Sequence, residues 1–451
     1  MYRTRSAGGR WPITLTMVIL SGLLIYSALN AEVVSRRIEA LPYYARTYLN
    51  KLLPKPTLPP PPAVSTVDPE TLLQMRPIES NALAQPDDTP ADLNEPSLNP
   101  TESPRPGAFN QTSSSPTGNA YQSADTVVLV KTTTISAEPI APQVKLAGVT
   151  HQWQTWNNCG PATISMNLSY YGRTETQVEA AQFLKPNQED KNVSPDELAA
   201  YARSLGFEAV VRVRGDLDLL KSLLSNGLPV IVEFWTNPED NGGMGHYRLF
   251  TGYDEAGGYF IAEDSLNGSG IQVPMAEFDT HWQVFNRTYV LAYPSNRAAL
   301  VHAIVGSAMI DQTMFERALL TAQTEAKNTP GSPYAWFNLG TNYARLGQKE
   351  LAAGAFDEAR RIGLPYRMLW YQFDIFETYL AVGRYQDVID LSSVILQATG
   401  GLEELYYYRG LARQALGQVE AAAEDFRAAL DYNPNFTPAA KALAALESPS
   451  S

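Results

Sequence analysis

The chain has 451 residues, of which 44% are hydrophobic and 18% charged, so it is globular overall and long enough for two or three domains. Its formal net charge of −13 excludes a nucleic-acid surface, because phosphate binding requires a positive field. Its single cysteine excludes an intramolecular disulfide and leaves a free thiol whose role has to be explained.

An apolar segment of membrane-spanning length lies near the N-terminus. Residues 12–30 are nearly uncharged and long enough to cross a hydrocarbon core of about 30 Å, which predicts a single transmembrane anchor over residues 12–31. Arginines in the preceding tail, residues 1–11, favour a cytoplasmic N-terminus, although basic residues also follow the run. A cleaved signal peptide is the alternative, and both interpretations predict an exported chain. Residues 32–53 then predict a juxtamembrane helix, either at the lipid headgroups or simply solvated.

Residues 54–145 form a long segment rich in Pro, Ser, Thr, Asn and Asp, with four consecutive prolines at 59–62. No sustained hydrophobic period runs through it, so it is predicted to be a disordered linker. A largely extended linker could hold the folded part on the order of 100 Å from the membrane, a reach that suits the crossing of a cell-wall layer.

The lone cysteine lies where a helix is predicted to begin. Cys159 precedes Gly160 and Pro161, and proline is favoured in the first helical turn because its missing N–H costs nothing there. A helix N-terminus stabilises the thiolate, which is the nucleophilic form. The alternative is a buried, inert cysteine, which the neighbouring Asn157 and Asn158 disfavour. The helix should bury its apolar residues, which are Ile164, Met166, Leu168 and Tyr171.

A nucleophilic cysteine needs a base, and the chain has four histidines. His246 opens a predicted strand that a turn near residue 255 connects to a second strand. This hairpin should bring Asp264 and Ser265 beside His246, so that the carboxylate orients the imidazole. A solvated His–Asp contact is the alternative. The other three histidines are predicted to lie in a loop, at the end of an amphipathic stretch and in a C-terminal helix; they are His151, His281 and His302.

The tetrahedral intermediate of acyl transfer needs hydrogen-bond donors for its oxyanion. The backbone N–H of Cys159 is one candidate, and the side-chain amide of Gln154 on the entering loop is the other. Gln152 is the alternative to Gln154. The scattered histidines and the single cysteine predict neither a metal site nor a cofactor.

Taken together, a glutamine shortly before NNCGPA, the downstream GHYRLFTGYD and the IAEDS strand resemble the C39-like peptidases. The resemblance covers residues 146–295 and implies an α+β papain-like cysteine peptidase domain. It places Gln154, Cys159, His246 and Asp264 at the matching catalytic positions. The better-known C39 domains precede ABC exporters and cleave leader peptides; this chain has no Walker motif, so that substrate does not carry over.

The surrounding pattern fits a helix-covered sheet. Helices are predicted over residues 194–206 and 215–226, a buried strand over 228–235, and further sheet with a short helix over 271–293. The loop at 237–245 directly precedes His246 and is predicted to be an ordinary surface loop or one lip of the cleft.

The C-terminal part, residues 296–447, repeats with a period of about 34 residues. One frame is nearly complete, and its residues have the spacing of a tetratricopeptide repeat (TPR): Trp336, Leu339, Gly340, Tyr343, Ala352, Phe356, Ala359 and Pro365. Equivalent positions recur one period earlier and later, a degenerate copy spans 369–402, and 437–447 looks like a capping helix. An all-α TPR solenoid of about four hairpins is therefore predicted.

These predictions give a multidomain, membrane-anchored extracytoplasmic cysteine peptidase or related amide hydrolase. A peptide or protein would be its substrate, and the groove of the repeats would bind a protein partner or present the substrate. Acyl transfer in place of hydrolysis is a variant of the same chemistry. The competing hypothesis is a catalytically silent papain-like binding protein that acts through its repeats, which would otherwise be a spacer or dimerisation module.

Overall fold

The computed structural model describes residues 56–62, 67–74, 139, 141–187, 189–236 and 243–447. These residues all belong to one compact unit. The predicted tail, anchor and juxtamembrane helix, residues 1–53, lie outside the described residues. Among the residues described, no single helix is long and apolar enough to cross a membrane. One bent pair, Ser295–Met309 with Asp311–Asn328 at 56°, reaches that length and composition only when both helices are taken together.

Part of the predicted disordered linker is packed against the C-terminal helices. Residues 56–62 run along them without regular secondary structure, and helix α1 (Pro69–Gln74) follows. Leu72 in α1 is fully buried. The prediction is therefore wrong for these residues, because a few isolated apolar side chains dock on a neighbouring surface without forming a periodic pattern of their own.

The sheet has seven described strands, all paired antiparallel, in the order β2-β7-β3-β4-β5-β6, with β1 paired to β4. The strands are β1 (Gln143–Lys145), β2 (Glu208–Arg212), β3 (Val230–Thr236), β4 (Met244–Asp254), β5 (Tyr259–Asp264), β6 (Gly268–Pro274) and β7 (Tyr289–Tyr293). The predicted buried strand at 228–235 is confirmed as β3, all of whose residues are buried.

Helices cover both faces of this sheet. They are α2 (Cys159–Tyr170), α3 (Gln177–Leu184), α4 (Pro195–Ser204), α5 (Leu217–Ser225), α6 (Met275–Gln283) and α7 (Ala298–Val305). Neighbours in a strand point to opposite faces. Leu249 of β4 accordingly joins the apolar cluster of α2, α3 and α4, whereas Phe250 joins that of α5, α6 and α7. The predicted α+β domain and its helices at 194–206 and 215–226 are confirmed as α4 and α5, each N-capped by a side chain.

The sheet begins before residue 146, where the domain was predicted to start. In β1, Gln143 pairs with Asp254 and Lys145 with Gly252. Gly252 is required there, because a Cβ atom would lie 2.2 Å from the carbonyl oxygen of Val144. A three-residue strand has too few positions to show an alternating pattern, so the sequence placed these residues in the linker.

The C-terminal region is helical, as predicted. Its helices are α8 (Asp311–Asn328), α9 (Pro333–Arg345), α10 (Lys349–Ile362), α11 (Asp374–Ala381), α12 (Tyr385–Thr399), α13 (Glu403–Ala415), α14 (Val419–Tyr432) and α15 (Thr437–Glu447). Helices α9 and α10, α11 and α12, and α13 and α14 pack against each other as consecutive pairs, and α15 packs on α14 as the predicted cap. The degenerate copy is therefore a real hairpin.

The first predicted hairpin differs from the structure. Its first helix, α7, is short and ends at Gly306, whose φ is 61°. Val301, Ile304 and Val305 pack into the apolar core of the sheet and not into the repeats. Three complete hairpins preceded by the single helix α8 are thus present in the described residues, where four were predicted.

A few residues of the sheet domain extend the apolar core of the repeats, so the predicted boundary at 295/296 lies at a packed joint. Trp235 of β3 and Phe285 after α6 are buried in the same cluster as Trp336 of α9. Polar contacts reinforce this joint, since Asn286 Nδ2 donates to Asn342 Oδ1 at 2.8 Å.

Candidate active site

Cys159 is the first residue of α2, as predicted, and is partly exposed. The N–H groups of the first helical turn have no partner within the helix, so they point positive charge toward the sulfur. Burial raises the pKa of the Cys159 thiol, but its hydrogen bond to His246, the imidazole charge, the Tyr247 backbone and the Lys185 ammonium outweigh burial and lower it. The fraction of thiolate at neutral pH is therefore larger than for an ordinary cysteine.

The predicted hairpin brings His246 and Asp264 together. Strand β4 ends at Asp254 and β5 begins at Tyr259, with a register that places Leu249 opposite Glu263. His246 Nε2 lies 3.0 Å from Asp264 Oδ1, and both side chains are almost completely buried. With Nε2 held by the carboxylate, Nδ1 is left for the thiol of Cys159. The imidazole thus lies between the thiol and the carboxylate, which is the arrangement of a nucleophile, a base and an orienting group. The catalytic roles of the three residues stay a prediction.

Electrostatics favour an ion pair between thiolate and imidazolium. Burial opposes the charged imidazole, but the Asp264 carboxylate and the Cys159 sulfur outweigh it and raise the pKa of His246 to about 9. The imidazole is therefore protonated at neutral pH, and its charge promotes ionisation of the neighbouring thiol. Such a pair attacks without waiting for a separate deprotonation.

Asp264 is held by four further hydrogen bonds that the sequence did not reveal. Its Oδ1 accepts from the backbone N–H of Leu266 at 2.8 Å and of Asn267 at 2.9 Å. Its Oδ2 accepts from Asn267 Nδ2 at 2.9 Å and from Arg248 Nε. Burial alone would raise the pKa of Asp264, but His246 and Arg248 hold it well below its usual range. The orienting group is therefore a fixed carboxylate.

Gln154, the predicted oxyanion donor, is anchored beside Asp264. Its backbone N–H donates to the carbonyl of Ser265 at 2.9 Å, and its Oε1 accepts from Ser265 Oγ at 2.8 Å. The amide nitrogen is thereby left as the donor. The alternative, Gln152, uses both ends of its amide elsewhere: Nε2 donates to Glu175 O at 3.3 Å and Oε1 accepts from Gln177 N at 2.8 Å. The structure thus favours Gln154, whose role remains a prediction.

The loop before Cys159 is organised by Gln177, which sequence reasoning missed. Its Oε1 accepts from Thr155 N at 2.8 Å and from Asn158 Nδ2 at 3.3 Å, and its Nε2 donates to Trp153 O at 2.6 Å. One side chain on α3 therefore fixes the backbone on both sides of Gln154. Its distance of 18 residues from Cys159 hides this contact from any local pattern.

Replacing Gln177 by alanine should lower kcat/KM for a peptide substrate by about tenfold, because a misplaced oxyanion donor forfeits part of its stabilisation. Alkylation of Cys159 by iodoacetamide needs the thiolate but no oxyanion donor. The rate of alkylation should therefore change less than about twofold. Measuring both rates on the same preparation separates the effects. Equal losses in both rates would show that the whole site has collapsed.

A narrow cleft adjoins Cys159. The residues that line it come from the loop before α2, from α2, from the segment before α4, from β3 and β4, and from the repeats: Asn157, Cys159, Gly160, Lys191, Asn192, Val193, Glu233, Gly245, Tyr247 and Tyr371. Residues 237–242 of the predicted lip lie outside the described residues.

Two lining residues were not anticipated. Burial holds the pKa of Glu233 well above its usual range, and the negative charge of Cys159 adds to this effect. Its only sequence signal is a single acid within the apolar strand β3. Tyr371 follows a 3-10 turn in the repeats, and its ring lies 6.0 Å from that of Phe285 and 6.3 Å from that of Trp235. The repeats therefore build part of the cleft wall.

The remaining histidines do not join the site. His151 lies in a loop, as predicted, with Nδ1 2.8 Å from Glu263 Oε2. His281 lies on α6 and His302 on α7. The described residues contain no group of three or more histidine, cysteine or acidic side chains that could hold a metal ion.

Comparison with known proteins finds one family in the sheet domain and another in the C-terminal helices. The model of the peptidase C39 like family matches residues 141–290, and that of the tetratricopeptide repeat matches residues 403–436, which are the hairpin α13/α14. No curated protein sequence matches the chain.

Three solved structures show similarity over about a third of the chain. A proposed C39-like peptidase from Bacillus anthracis is 19% identical, with a TM-score of 0.29, over 33% of this chain and 96% of that one. A double glycine motif protease from an AMS/PCAT transporter, solved with its leader peptide, is 20% identical, with a TM-score of 0.25, over 34% and 95%. MamA from Desulfovibrio magneticus RS-1 is 20% identical, with a TM-score of 0.28, over 33% and 82%. By the family models, residues 141–290 form a domain of the C39-like peptidase family, and the same chain carries a tetratricopeptide repeat at residues 403–436.

Proposed function

We propose that this chain is a cysteine peptidase that hydrolyses a peptide or related amide bond with Cys159 as nucleophile. The observation that carries the proposal is the buried contact of His246 with Asp264 beside a thiol at a helix N-terminus. A structural cysteine would need neither a paired imidazole nor a lowered pKa.

The residues divide the chemistry as follows. The thiolate of Cys159 attacks the substrate carbonyl carbon, and the new oxyanion accepts hydrogen bonds from the Cys159 N–H and the Gln154 amide, each contributing about 3 to 4 kcal/mol in comparable sites. The imidazolium of His246 gives its proton to the leaving amine as the C–N bond breaks. Water then attacks the thioester, with neutral His246 taking its proton, and the thiolate is released.

The cleft limits which substrates can reach the sulfur. Tyr371 and Tyr247 are bulky wall residues, so substrate residues next to the scissile bond should be small. Glu233 also lines the cleft and offers its carboxyl as a hydrogen-bonding group for the substrate backbone. A flexible, extended chain with small residues fits this cleft better than a folded surface does.

Anchoring by residues 12–31, with the folded domains outside the cytoplasm, is part of the same proposal and is supported by the apolar run in the sequence. Protease digestion of intact and permeabilised cells tests it. The catalytic domain should be digested when only the cell exterior is accessible. Protection until the membrane is opened would contradict this placement.

The test of the activity is to incubate the full chain, under reducing conditions and in H₂¹⁸O, with a peptide library made from a proteome digest. New peptide ends should form with the wild type and not with Cys159→Ala, and each new C-terminal carboxyl should carry ¹⁸O from the hydrolysed thioester. Identical peptide patterns for the two proteins would leave the silent, binding role as the better description. If an added amine replaces water in the attack on the thioester, the new C-termini should carry the amine and no ¹⁸O. This result would indicate acyl transfer.

A further inference from the structure

The repeats already hold a peptide. We use "strap" for residues 56–62 together with 67–74, the two described pieces of the predicted linker. Helix α1 of the strap contacts both α8 and α10. Leu58, Val67 and Leu73 are partly buried against the apolar core of the repeats, in which Leu72 is fully buried.

The extended part of the strap is held through its backbone. Arg360 of α10 donates from Nη2 to the carbonyl oxygens of Pro59 and Pro60, at 2.8 and 3.0 Å. The other arm of the guanidinium, Nη1, donates to Tyr379 Oη at 3.1 Å and Asp387 Oδ1 at 2.9 Å. This buried charge is therefore fixed by the repeats and directed at two consecutive proline carbonyls. Consecutive prolines hold the chain extended before it binds, so little entropy is lost on docking.

The helical part of the strap is held at its C-terminal end. The last four carbonyls of a helix have no partner within it, and Leu72 O is one of these. Tyr343 Oη of α9 donates to this oxygen at 2.6 Å. Gln323 Nε2 of α8 donates to the same oxygen at 3.4 Å and to Tyr343 Oη at 3.0 Å. The repeats thus satisfy a helix end in the way that a capping residue would.

The surface under the strap is shaped for it. Gly354 lies inside α10, where glycine is a much poorer helix former than alanine. A Cβ atom at this position would lie 3.1 Å from Cβ of Val67 and 3.5 Å from Cδ1 of Leu72. The strap therefore occupies the space that a side chain at position 354 would take. A repeat with no occupant here would gain stability from alanine.

We propose that helices α8, α9 and α10 form a peptide-binding site whose resident ligand is the strap of the same chain. The ligand class is a segment with two adjacent prolines whose carbonyls face Arg360, followed by a helical turn that buries one leucine and ends on Tyr343. An external protein with such a segment binds there only by displacing the strap. This site is separate from Cys159 and does not depend on its chemistry.

The test compares the full chain with Leu72→Asp, which places a charge in the buried position, and with the matched control Thr71→Asp, which places it on the exposed side of α1. A fluorescent peptide of residues 56–74 is titrated into each protein. We expect Leu72→Asp to bind the peptide at least about tenfold more tightly than the wild type and Thr71→Asp, since a tethered competitor acts at about millimolar effective concentration. A peptide that itself carries Leu72→Asp should bind none of them.

A second measurement uses only the wild type, so it stands even where the variant fails to fold. Hydrogen exchange of the amides at 67–74 should be slow and should quicken when excess unlabelled peptide displaces the strap. Exchange at the rate of the free peptide, or equally weak peptide binding by Leu72→Asp and the wild type, would overturn the proposal. A wild-type dimer that Leu72→Asp converts to a monomer would assign the occupant to a second copy and overturn the same-chain assignment.

Discussion

His246→Ala is expected to raise the pH at which Cys159 becomes reactive to the ordinary thiol range, near about 8.5. In the wild type, the imidazolium and its hydrogen bond lower the pKa of the thiol against the effect of burial. Without them, the raising effect of burial is opposed only by the Tyr247 backbone and the Lys185 ammonium, so the pKa of the thiol should rise. At pH 6 the rate of alkylation by iodoacetamide should therefore fall by at least about tenfold, in proportion to the lost thiolate.

Because the chain has one cysteine, alkylation followed by mass spectrometry reports on Cys159 alone. His151→Ala is the matched control, since it removes another histidine that pairs with an acid, Glu263, near the same sheet. Its alkylation profile should equal that of the wild type. Overlapping profiles for His246→Ala and the wild type would mean that no ion pair forms.

The same pair sets an upper limit on catalysis. Because the pKa of His246 is raised to about 9, the imidazolium persists through neutral pH and is lost as pH rises through that value. Hydrolysis of a peptide should then decline above about pH 9, since no proton remains for the leaving amine. Alkylation, which needs only the thiolate, should not decline there.

Asp264→Ala is expected to be the most destabilising single change at the site. It leaves His246 and Arg248 without their carboxylate and removes the acceptor of two backbone N–H groups, those of Leu266 and Asn267. Breaking a buried pair from one side typically costs about 3 to 5 kcal/mol. The free energy of unfolding, measured in urea, should fall by this amount.

The pH of this measurement matters. The pKa of Asp264 is depressed, so its stabilisation is complete above its unfolded pKa of about 4 and is lost as pH falls further. The pKa of His246 is raised, so its stabilisation is complete below about 6.5 and is lost as pH rises through about 9. At pH 6 both contributions are present.

A surface acid provides the comparison for Asp264. Asp311 pairs with Arg212 at 2.6 Å, but its side chain is 73% exposed. Asp311→Ala should therefore cost less than about 1 kcal/mol. Similar losses for the two variants would show that the Asp264 network contributes no more than a solvated pair.

The contacts that could be predicted from sequence are those set by local rules. Gly160 and Pro161 mark the start of α2, and a single turn relates His246 to Asp264 through the hairpin register. By contrast, Gln177 and Arg248 act through side-chain hydrogen bonds that no periodicity encodes. Their residue types are ordinary for the elements that carry them, so only the folded geometry reveals their roles.

The errors in the repeats have a different cause. The repeat period predicted a helix pair around Gly306, but tertiary packing draws α7 onto the sheet, and its apolar residues suit either surface. The strap was missed because docking needs only a few apolar contacts once the partner surface exists. Both errors concern the surface against which an apolar side chain packs. The periodicity of a helix or strand shows that a face is buried but does not identify the surface that buries it.

The apolar cluster around Trp235 and Phe285 packs the sheet domain directly against the repeats at their joint. Close-packed interiors shift between discrete arrangements and do not bend smoothly. The 3-10 turn Tyr366–Trp370 runs directly into Tyr371, which stands in the wall of the cleft. A protein bound to the repeats near this turn would therefore act on a residue that lines the cleft beside the thiol.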